Sequence, residues 1–498
     1  RLVKYIGIDL GTTFSVVAYL DDLGAPKIIR NIDGENTTPS CVAMIDGSLQ
    51  VGQRAKRHAH NAPHEGAKTF KRRMGEQFEY QVAGDTLAPT DLSALILKEM
   101  KKLAENEIGE IQKAVVTIPA NFAHEARDAT MHAAALAGLD VEFIINEPTA
   151  AALYYAYAEQ EDLFGTYAVY DLGGGTFDIS IIRVNDGDVE VVASNGVSQL
   201  GGDDFDVKLQ ELVKQKYEEE TGKDFDTEDF TEFDAEQEKI ALSQRKRTTV
   251  QVGRSLIDIR REDFEEVLSP LIAQTEMLCE ASLDDADLDP EDIKAIFLAG
   301  GSTRMPIVRE SIMRVFGRDP TATADVDEVV AKGAALYAAY KSDRAGLSDV
   351  QSRALDKIQV SESTSMCFGT ISRSYNENRE EFELKNSIII PKGEKIPVSV
   401  TETFYLAVDD QESVHCRVTE SRTAETNPKF VKIVADEELE LPAGVKQGDE
   451  FEITYSFTEN QTMAATFVHK ASDSTANLNL TFAETSKDNP SKADKFTV

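Results

Sequence analysis

One device is written twice in this chain, and the repetition limits the fold more than composition does. The apolar run Tyr167-Ala168-Val169-Tyr170 reaches Asp171-Leu172-Gly173-Gly174-Gly175-Thr176-Phe177-Asp178, and Ile179-Ser180-Ile181-Ile182 leads away from it. Three successive glycines between two strands make a hairpin whose backbone takes positive φ and approaches a ligand with no Cβ in the way. Its N–H groups converge on one concavity, which suits phosphate oxygens. Carboxylates at both ends would repel a bare phosphate, so hydrated Mg²⁺ is expected between them. Near the start, Tyr5-Ile6-Gly7-Ile8-Asp9-Leu10-Gly11-Thr12-Thr13 leads into Ser15-Val16-Val17-Ala18-Tyr19. Strand, Asp-Leu-Gly, hydroxyl-bearing turn and strand thus occur in both halves. Two phosphate hairpins imply a duplicated fold that clamps one nucleotide in the cleft between its halves.

A third element, Phe297-Leu298-Ala299-Gly300-Gly301-Ser302-Thr303-Arg304, puts a glycine pair after an apolar strand and before a helix. Gly300 and Gly301 permit close approach of a nucleoside, and the planar guanidinium of Arg304 suits a base face. Neither the P-loop pattern nor the dinucleotide fingerprint is present, which disfavours those nucleotide folds.

The three elements in this order resemble the actin-like ATPase module of the seventy-kilodalton heat-shock chaperones of DnaK type. Asn146-Glu147-Pro148-Thr149-Ala150-Ala151-Ala152-Leu153 and Leu200-Gly201-Gly202-Asp203-Asp204-Phe205-Asp206 resemble that family and not the sugar kinases. The likeness runs to about residue 340 and continues more weakly beyond it. It implies an α/β actin-like ATPase domain at 1–340, duplicated in two lobes, and an all-β sandwich at 358–483, joined by a linker at 341–357. A polar tail covers 484–498. The family's long helical lid is not seen in this sequence.

Carried over residue by residue, the resemblance assigns the water of Mg²⁺ to Asp9 and Asp171. Gly11, Thr12, Thr13, Gly173, Gly174, Gly175 and Thr176 cradle the phosphates of ATP or ADP. Lys71, in Phe70-Lys71-Arg72-Arg73-Met74-Gly75, resembles the lysine that reaches into the cleft and joins Glu147, Thr176 and Asp178 in arranging the attacking water. Gly201 and Gly202 belong with the nucleotide, as do Glu236 and Lys239 on the ribose, Ser243 on the base edge, and Gly300, Gly301, Ser302, Arg304 and Asp327. Read without the resemblance, Glu236 to Ser243 is equally a plain charged helix face. Pro119 and Arg127 stand where the family has an allosteric switch; by themselves they are a strand-end proline and a helix arginine. The stretch between Phe78 and Asp91 and the hairpin around Thr248 to Ile259 are short for the family.

The rest of the chain bounds the partners. Its 498 residues carry 52 Lys and Arg against 88 Asp and Glu, a net charge of −36, which disfavours nucleic acid and anionic membrane. Cys41, Cys279, Cys367 and Cys416 lack metal or redox spacing, so reduced thiols in the cytoplasm are expected. His58, His60, His64, His124 and His132 share no ligand pattern, and no metal beyond nucleotide-bound Mg²⁺ is expected. No run of 18 apolar residues occurs, so no membrane span is expected.

Periodicity predicts a helix through Leu92, Leu95, Ile96 and Leu103 ending near Gly109, a strand at 114–118, a helix at 124–138, a strand at 141–145 and a helix from Thr149. From Ile358 the texture becomes β-rich, with strands at 387–390, 396–408, 413–418, 430–434, 451–457, 463–469 and 477–482. Phe404-Tyr405-Leu406-Ala407-Val408 and Val414 resemble the family's peptide-clamping strands. Phe404, Ala407, Val414 and Cys416 would line a slot for extended apolar segments of unfolded polypeptides; an ordinary sandwich core explains the same letters.

The expected function is an ATP-dependent molecular chaperone, an ATP hydrolase coupled to peptide binding. A non-hydrolysing scaffold that holds ATP, and a small-molecule kinase, are the rivals. The family implies a J-domain co-chaperone and a nucleotide exchange factor as partners. Two departures predict weak coupling to the former: Phe143 replaces a basic residue three positions before Asn146, and Ile358-Gln359-Val360 replaces a leucine-rich linker.

Overall fold

A computed structural model describes residues 4–111, 113–185, 187–322, 325–342, 349 and 361–480. The linker residues Ile358-Gln359-Val360 and the tail at 484–498 lie outside the described residues.

The first sheet orders its strands Val141–Asn146, Lys113–Ile118, Tyr5–Asp9, Phe14–Leu20 and Pro26–Ile28. Tyr5–Asp9 runs parallel to Lys113–Ile118 and antiparallel to Phe14–Leu20. The second sheet repeats the scheme with Ile296–Ala299, Gly165–Leu172, Phe177–Asn185 and Asp188–Val197. There Gly165–Leu172 runs parallel to Ile296–Ala299 and antiparallel to Phe177–Asn185. Each Asp-Leu-Gly hairpin therefore sits at the same place in its sheet, at the end of a strand flanked by one parallel and one antiparallel neighbour. The parallel strands read as near-continuous apolar runs because helices cover both faces.

One closely packed contact ties the sheets together. The helix Val329–Lys341 is rich in Ala and Gly. A Cβ on its Gly333 would lie 1.8 Å from the carbonyl oxygen of Ala150 in the helix Glu147–Glu159, and one on Gly7 would lie 2.3 Å from Ala335 N. Glycine at both points lets backbone meet backbone. Glu147–Glu159 begins two residues earlier than periodicity predicts, because Pro148 stands in the first turn, where its missing N–H is no loss.

Two four-stranded antiparallel sheets make the C-terminal sandwich. One orders Glu381–Ile390, Cys367–Asn376, Ser413–Ser421 and Lys432–Glu440; the other orders Val398–Tyr405, Glu450–Phe457, Met463–His469 and Ser474–Asn479. Cys367–Asn376 escapes the sequence reading because its polar Thr370, Ser372 and Ser374 supply no apolar run. The strand expected from Phe430 begins at Lys432, after a 3₁₀ turn at Pro428–Phe430. Ser361–Glu362 pairs in parallel with Asp188–Val189 at the edge of the second sheet. The sandwich is thus strapped to the first unit. No helix among the described residues is long and apolar enough to cross a membrane, and all four cysteines are buried and unpaired.

Gly333→Ala should destabilise the first unit by about 1–3 kcal/mol or more, the range for forcing atoms into a packed interior. Urea unfolding of the full chain measures it, and a midpoint equal to that of the parent chain would contradict the close-packing account.

Candidate functional site

The two hairpins face each other across a cavity of about 450 Å³, within the range of small-molecule sites. A Cβ on Gly174 would lie 2.6–2.9 Å from Thr13 side-chain atoms, so a glycine is required where the second hairpin meets the first. Gly300, at φ +88, lets the third element touch the carbonyl of Leu172, to which a Cβ would come within 2.3 Å. All the nucleotide, Mg²⁺ and catalytic residues named from the sequence line this cavity except Gly201 and Asp178. Gly201 lies just behind, where a Cβ would come within 2.6 Å of the Gly174 carbonyl. Asp178 lines a water-sized space behind Glu147 and Asp171, together with Pro119 and Ser180.

Lys71 is buried on the floor of the cavity and donates to Glu147 Oε1 at 2.5 Å. Burial disfavours its charge, but Glu147 and Asp9 outweigh that and raise its pKa. Burial pushes Asp9 up to about 7, with Glu147 adding to the shift and Lys71 and the Thr117 hydroxyl opposing it. Burial likewise pushes Asp178 up to about 7, again with Glu147 adding and Lys71 opposing. Asp171 stands well above the usual carboxylate range through burial and the neighbouring Glu147, Asp178 and Asp9. A site that crowds carboxylates beyond what one lysine neutralises is built to receive positive charge.

Mg²⁺ fits that demand. Among the described residues no group of three or more His, Cys, Asp or Glu side chains is arranged to hold a metal directly. Asp9 and Asp171 therefore suit an ion held through its own waters and phosphate oxygens, as Mg²⁺ prefers. The buried Thr13 Oγ1 lacks a protein partner and is available to a ligand oxygen.

At the end of the cavity where the sequence leads one to expect the nucleoside, Arg304 pairs with Asp327 at 2.7 Å. Lys239 is held by Asp206 at 2.8 Å and by the Gly202 carbonyl at 3.0 Å, while Glu236 pairs with Lys56 at 3.4 Å. Lys239 and Glu236 thus link elements around the cavity, beyond the ribose contact expected from the sequence. Ser243 donates to the Lys239 carbonyl at 3.4 Å. Arg72 was missed: its guanidinium donates to the Gly175 carbonyl, tying the short turn Phe70–Arg73 to the second hairpin. The adjacent Lys71 drew attention by resemblance alone, and nothing in the local letters ranks one cation over the other.

A second cluster lies where the sandwich meets the first unit. Glu362, 2% exposed, accepts from Asn146 N at 3.2 Å and Asn146 Nδ2 at 2.9 Å, one residue before Glu147. Arg127, 1% exposed, donates to Glu420 Oε2 at 3.1 Å. Lys432 reaches Glu125 at 2.7 Å, and Lys392 Nζ donates to the Val192 carbonyl at 2.6 Å. Phe143 is buried edge-on to Tyr337 with the Lys341 ammonium 5.6 Å from its ring centroid. In the sandwich, Phe404 and Val414 are half-buried, Ala407 is exposed and Cys416 is fully buried in the core. In this arrangement Cys416 is out of a ligand's reach. Tyr405 and Val408 beside them are exposed, at 64% and 49%.

Comparison with known proteins follows the same outline. The family model described as Hsp70 protein matches residues 5–491. The chain is 39% identical over 438 residues to the chaperone protein DnaK of Thermotoga neapolitana, covering 83% of this chain and 70% of the relative. It is 37% identical over 433 residues to the chaperone protein DnaK of Thermosipho melanesiensis, covering 83% and 69%. The chaperone protein DnaK of Thermotoga petrophila is 38% identical over 436 residues, covering 83% and 70%.

Lys71→Ala should lower ATP hydrolysis by about 10²-fold, as loss of one preorganised electrostatic group does. Nucleotide affinity, measured by calorimetry, should fall far less; equal losses would make Lys71 a binding residue only.

A second expectation concerns Glu362. Burial pushes it up to about 8, against the Asn146 N–H groups, the Thr149 hydroxyl and Lys341. The docked arrangement therefore holds a proton that a solvated glutamate has lost. Docking is favoured at low pH and weakens as pH rises towards about 8. Energy transfer between dyes on the two units should report this loss, and Glu362→Gln should flatten the profile. A flat profile in the unmutated chain would count against it.

Proposed function

The chain belongs to the Hsp70 protein family, and on that premise we propose how its parts divide the work. It is an ATP-dependent molecular chaperone that hydrolyses ATP with Mg²⁺ as the usual cofactor. The observation that carries the mechanism is the Lys71–Glu147 pair on the floor of a cavity between two facing hairpins. The first unit is read as an actin-like ATPase domain at 1–340, and the sandwich at 358–483 as the peptide-binding domain.

The backbone N–H groups and hydroxyls of both hairpins hold the phosphates of ATP, so the bond to be broken lies above Lys71. Asp9 and Asp171 would hold the waters of Mg²⁺, which when bound neutralises charge on the phosphate oxygens. Lys71 stabilises negative charge on the transferring phosphoryl group. Glu147, Thr176 and Asp178 orient the attacking water, and Asp178 receives its proton; the environment that lifts Asp178 to about 7 suits that task. No covalent bond to protein forms; positioning and electrostatics supply the catalysis. Arg72 ties the turn that carries Lys71 to the second hairpin by holding the Gly175 carbonyl.

Hydrolysis biases the docking of the sandwich, because Glu362 binds the residue next to Glu147. The sandwich takes extended apolar segments of unfolded polypeptides, with Phe404, Ala407 and Val414 at the contact and the exposed Tyr405 and Val408 beside them. Pro119, bordering the space behind Glu147, and Arg127, gripping Glu420, lie on the path between the units. Co-chaperones typical of the family are expected partners. Phe143 is buried and itself uncharged, with Lys341 the ammonium beside its ring; the lack of a basic side chain at residue 143 supports weak coupling to a generic J-domain. Four unpaired cysteines fit a reducing, cytoplasmic setting.

The scaffold reading is not favoured, because the relatives are named as chaperones and the Lys71–Glu147 pair is in place. The kinase reading leaves the sandwich without a role. Single-turnover ATP hydrolysis by the full chain, with and without an extended leucine-rich peptide, tests the whole. The expected result is faster hydrolysis with peptide. Absence of turnover would overturn the ATPase mechanism, and equal rates would overturn the coupling.

A further inference from the structure

The hairpin of Cys367–Asn376 and Glu381–Ile390 reaches beyond the sheet that carries it. Ser413–Ser421 pairs with its first strand only from Cys367 to Gly369, whereas Glu381–Ile390 follows that strand to Asn376. The far end is therefore a two-stranded ribbon. Glu381–Ile390 is an edge strand, and no strand among the described residues pairs with its outer side.

Every residue from Glu381 to Lys385 is exposed. Asn386 marks where the open edge ends: its N–H donates to the Thr426 carbonyl and its Nδ2 to the Glu425 carbonyl, both at 2.8 Å. Amides of an antiparallel strand point alternately to one neighbour and the other. That of Asn386 points outward, so those of Phe382 and Leu384 do too, with no strand to receive them. Side chains alternate as well. Tyr375, Phe382 and Leu384 share one face, at 52%, 62% and 57% exposed. The Phe382 ring lies 5.2 Å from that of Tyr375 and 5.2 Å from the guanidinium carbon of Arg373. Glu381, Glu383 and Lys385 take the other face. Charges usually blunt an open edge; here they alternate with large apolar residues instead of replacing them.

We infer that this edge is a second polypeptide site, where an extended segment pairs as an added strand with Phe382 and Leu384 and lays alternate apolar side chains beside theirs. The inference rests on the reading of the sandwich as the peptide-binding domain and adds a surface to it. Cys367–Asn376 stands between this edge and the strand of Val414, so the two surfaces are separate. Charge selects the occupant. Glu381 and Glu383 favour Lys or Arg at the intervening positions of the added strand. A second copy of this chain fits less well. With Asn386 already engaged, a two-fold antiparallel pairing through both free amides centres on residue 383 and sets Glu383 opposite Glu383, a repulsive pair.

The experiment uses the full chain and a short acetylated peptide that alternates Lys with Leu. Hydrogen exchange is followed amide by amide with and without saturating peptide. The amides of Phe382 and Leu384 should slow about tenfold or more, while that of Glu383, turned toward Cys367–Asn376, should not change. Fluorescence anisotropy then compares Leu384→Ala with Leu384→Pro in the Val414→Phe chain, where a larger ring occupies the first surface. Leu384→Pro removes one outward N–H and leaves the hairpin's own hydrogen bonds in place. It should bind about fivefold more weakly than Leu384→Ala, the worth of one hydrogen bond. Unchanged exchange at Phe382 and Leu384 under bound peptide overturns the inference. Equal affinities of the Ala and Pro chains also overturn it, as they leave only a side-chain contact. So does a chain that dimerises in sedimentation and protects the same two amides without peptide. If Leu384→Pro unfolds in a thermal melt, the exchange measurement on the parent chain decides in its place. A parent chain that binds no peptide at all would instead overturn the peptide-binding reading of the sandwich, and this inference with it.

Discussion

A single buried ammonium among four carboxylates is the constraint on which the rest of this structure depends. Lys71 neutralises at most one of Asp9, Glu147, Asp171 and Asp178, and its 2.5 Å contact assigns it to Glu147. The remaining carboxylates are crowded and desolvated, and burial lifts Asp9 and Asp178 to about 7. Such a cluster is costly unless something positive arrives, because each unpaired charge loses its hydration. The geometry therefore favours a ligand that brings a cation with it, and the two hairpins supply the N–H groups that bind the ligand's own negative charge. Substrate binding and relief of the crowded charge become one event.

Holding these groups together requires both halves of the first unit to meet without slack. The helix Val329–Lys341 does this with small residues, placing Gly333 against Ala150 and Ala334–Ala335 against Gly7. Larger side chains would have pushed Glu147, at the start of the partner helix, away from Lys71. The same economy of space appears in the hairpins, where Gly174 lies against Thr13.

The docked sandwich adds buried polar groups whose partners stand in the other unit. Arg127 with Glu420, and Glu362 with Asn146, are nearly inaccessible to solvent in this arrangement. A buried ion pair is weak evidence for stability, because desolvation offsets attraction. Its use here is conditional: both partners become solvated when the units separate. Charge and hydrogen-bond pairs of this kind suit an interface that must open, as an apolar seam of equal size would resist opening more strongly.

The hairpins, the Gly300–Gly301 turn and the alternation of strands and helices were legible in the sequence, because glycine runs and apolar periodicity act over a few residues. So was the Asn146-Glu147-Pro148 start of a helix, misjudged only by the two residues that Pro148 allows. The strand Cys367–Asn376 was not legible, since Thr370, Ser372, Arg373 and Ser374 leave it no apolar run. Arg72, Glu362 and Glu420 were also invisible, being ordinary letters whose partners lie far along the chain. Local sequence determined the chemistry on offer: phosphate cradles, carboxylates, a cation and a β-rich second unit. Tertiary structure alone decided which cation faces which carboxylate, and which glutamates of the sandwich reach the first unit, because burial and pair distances exist only after the chain has closed on itself.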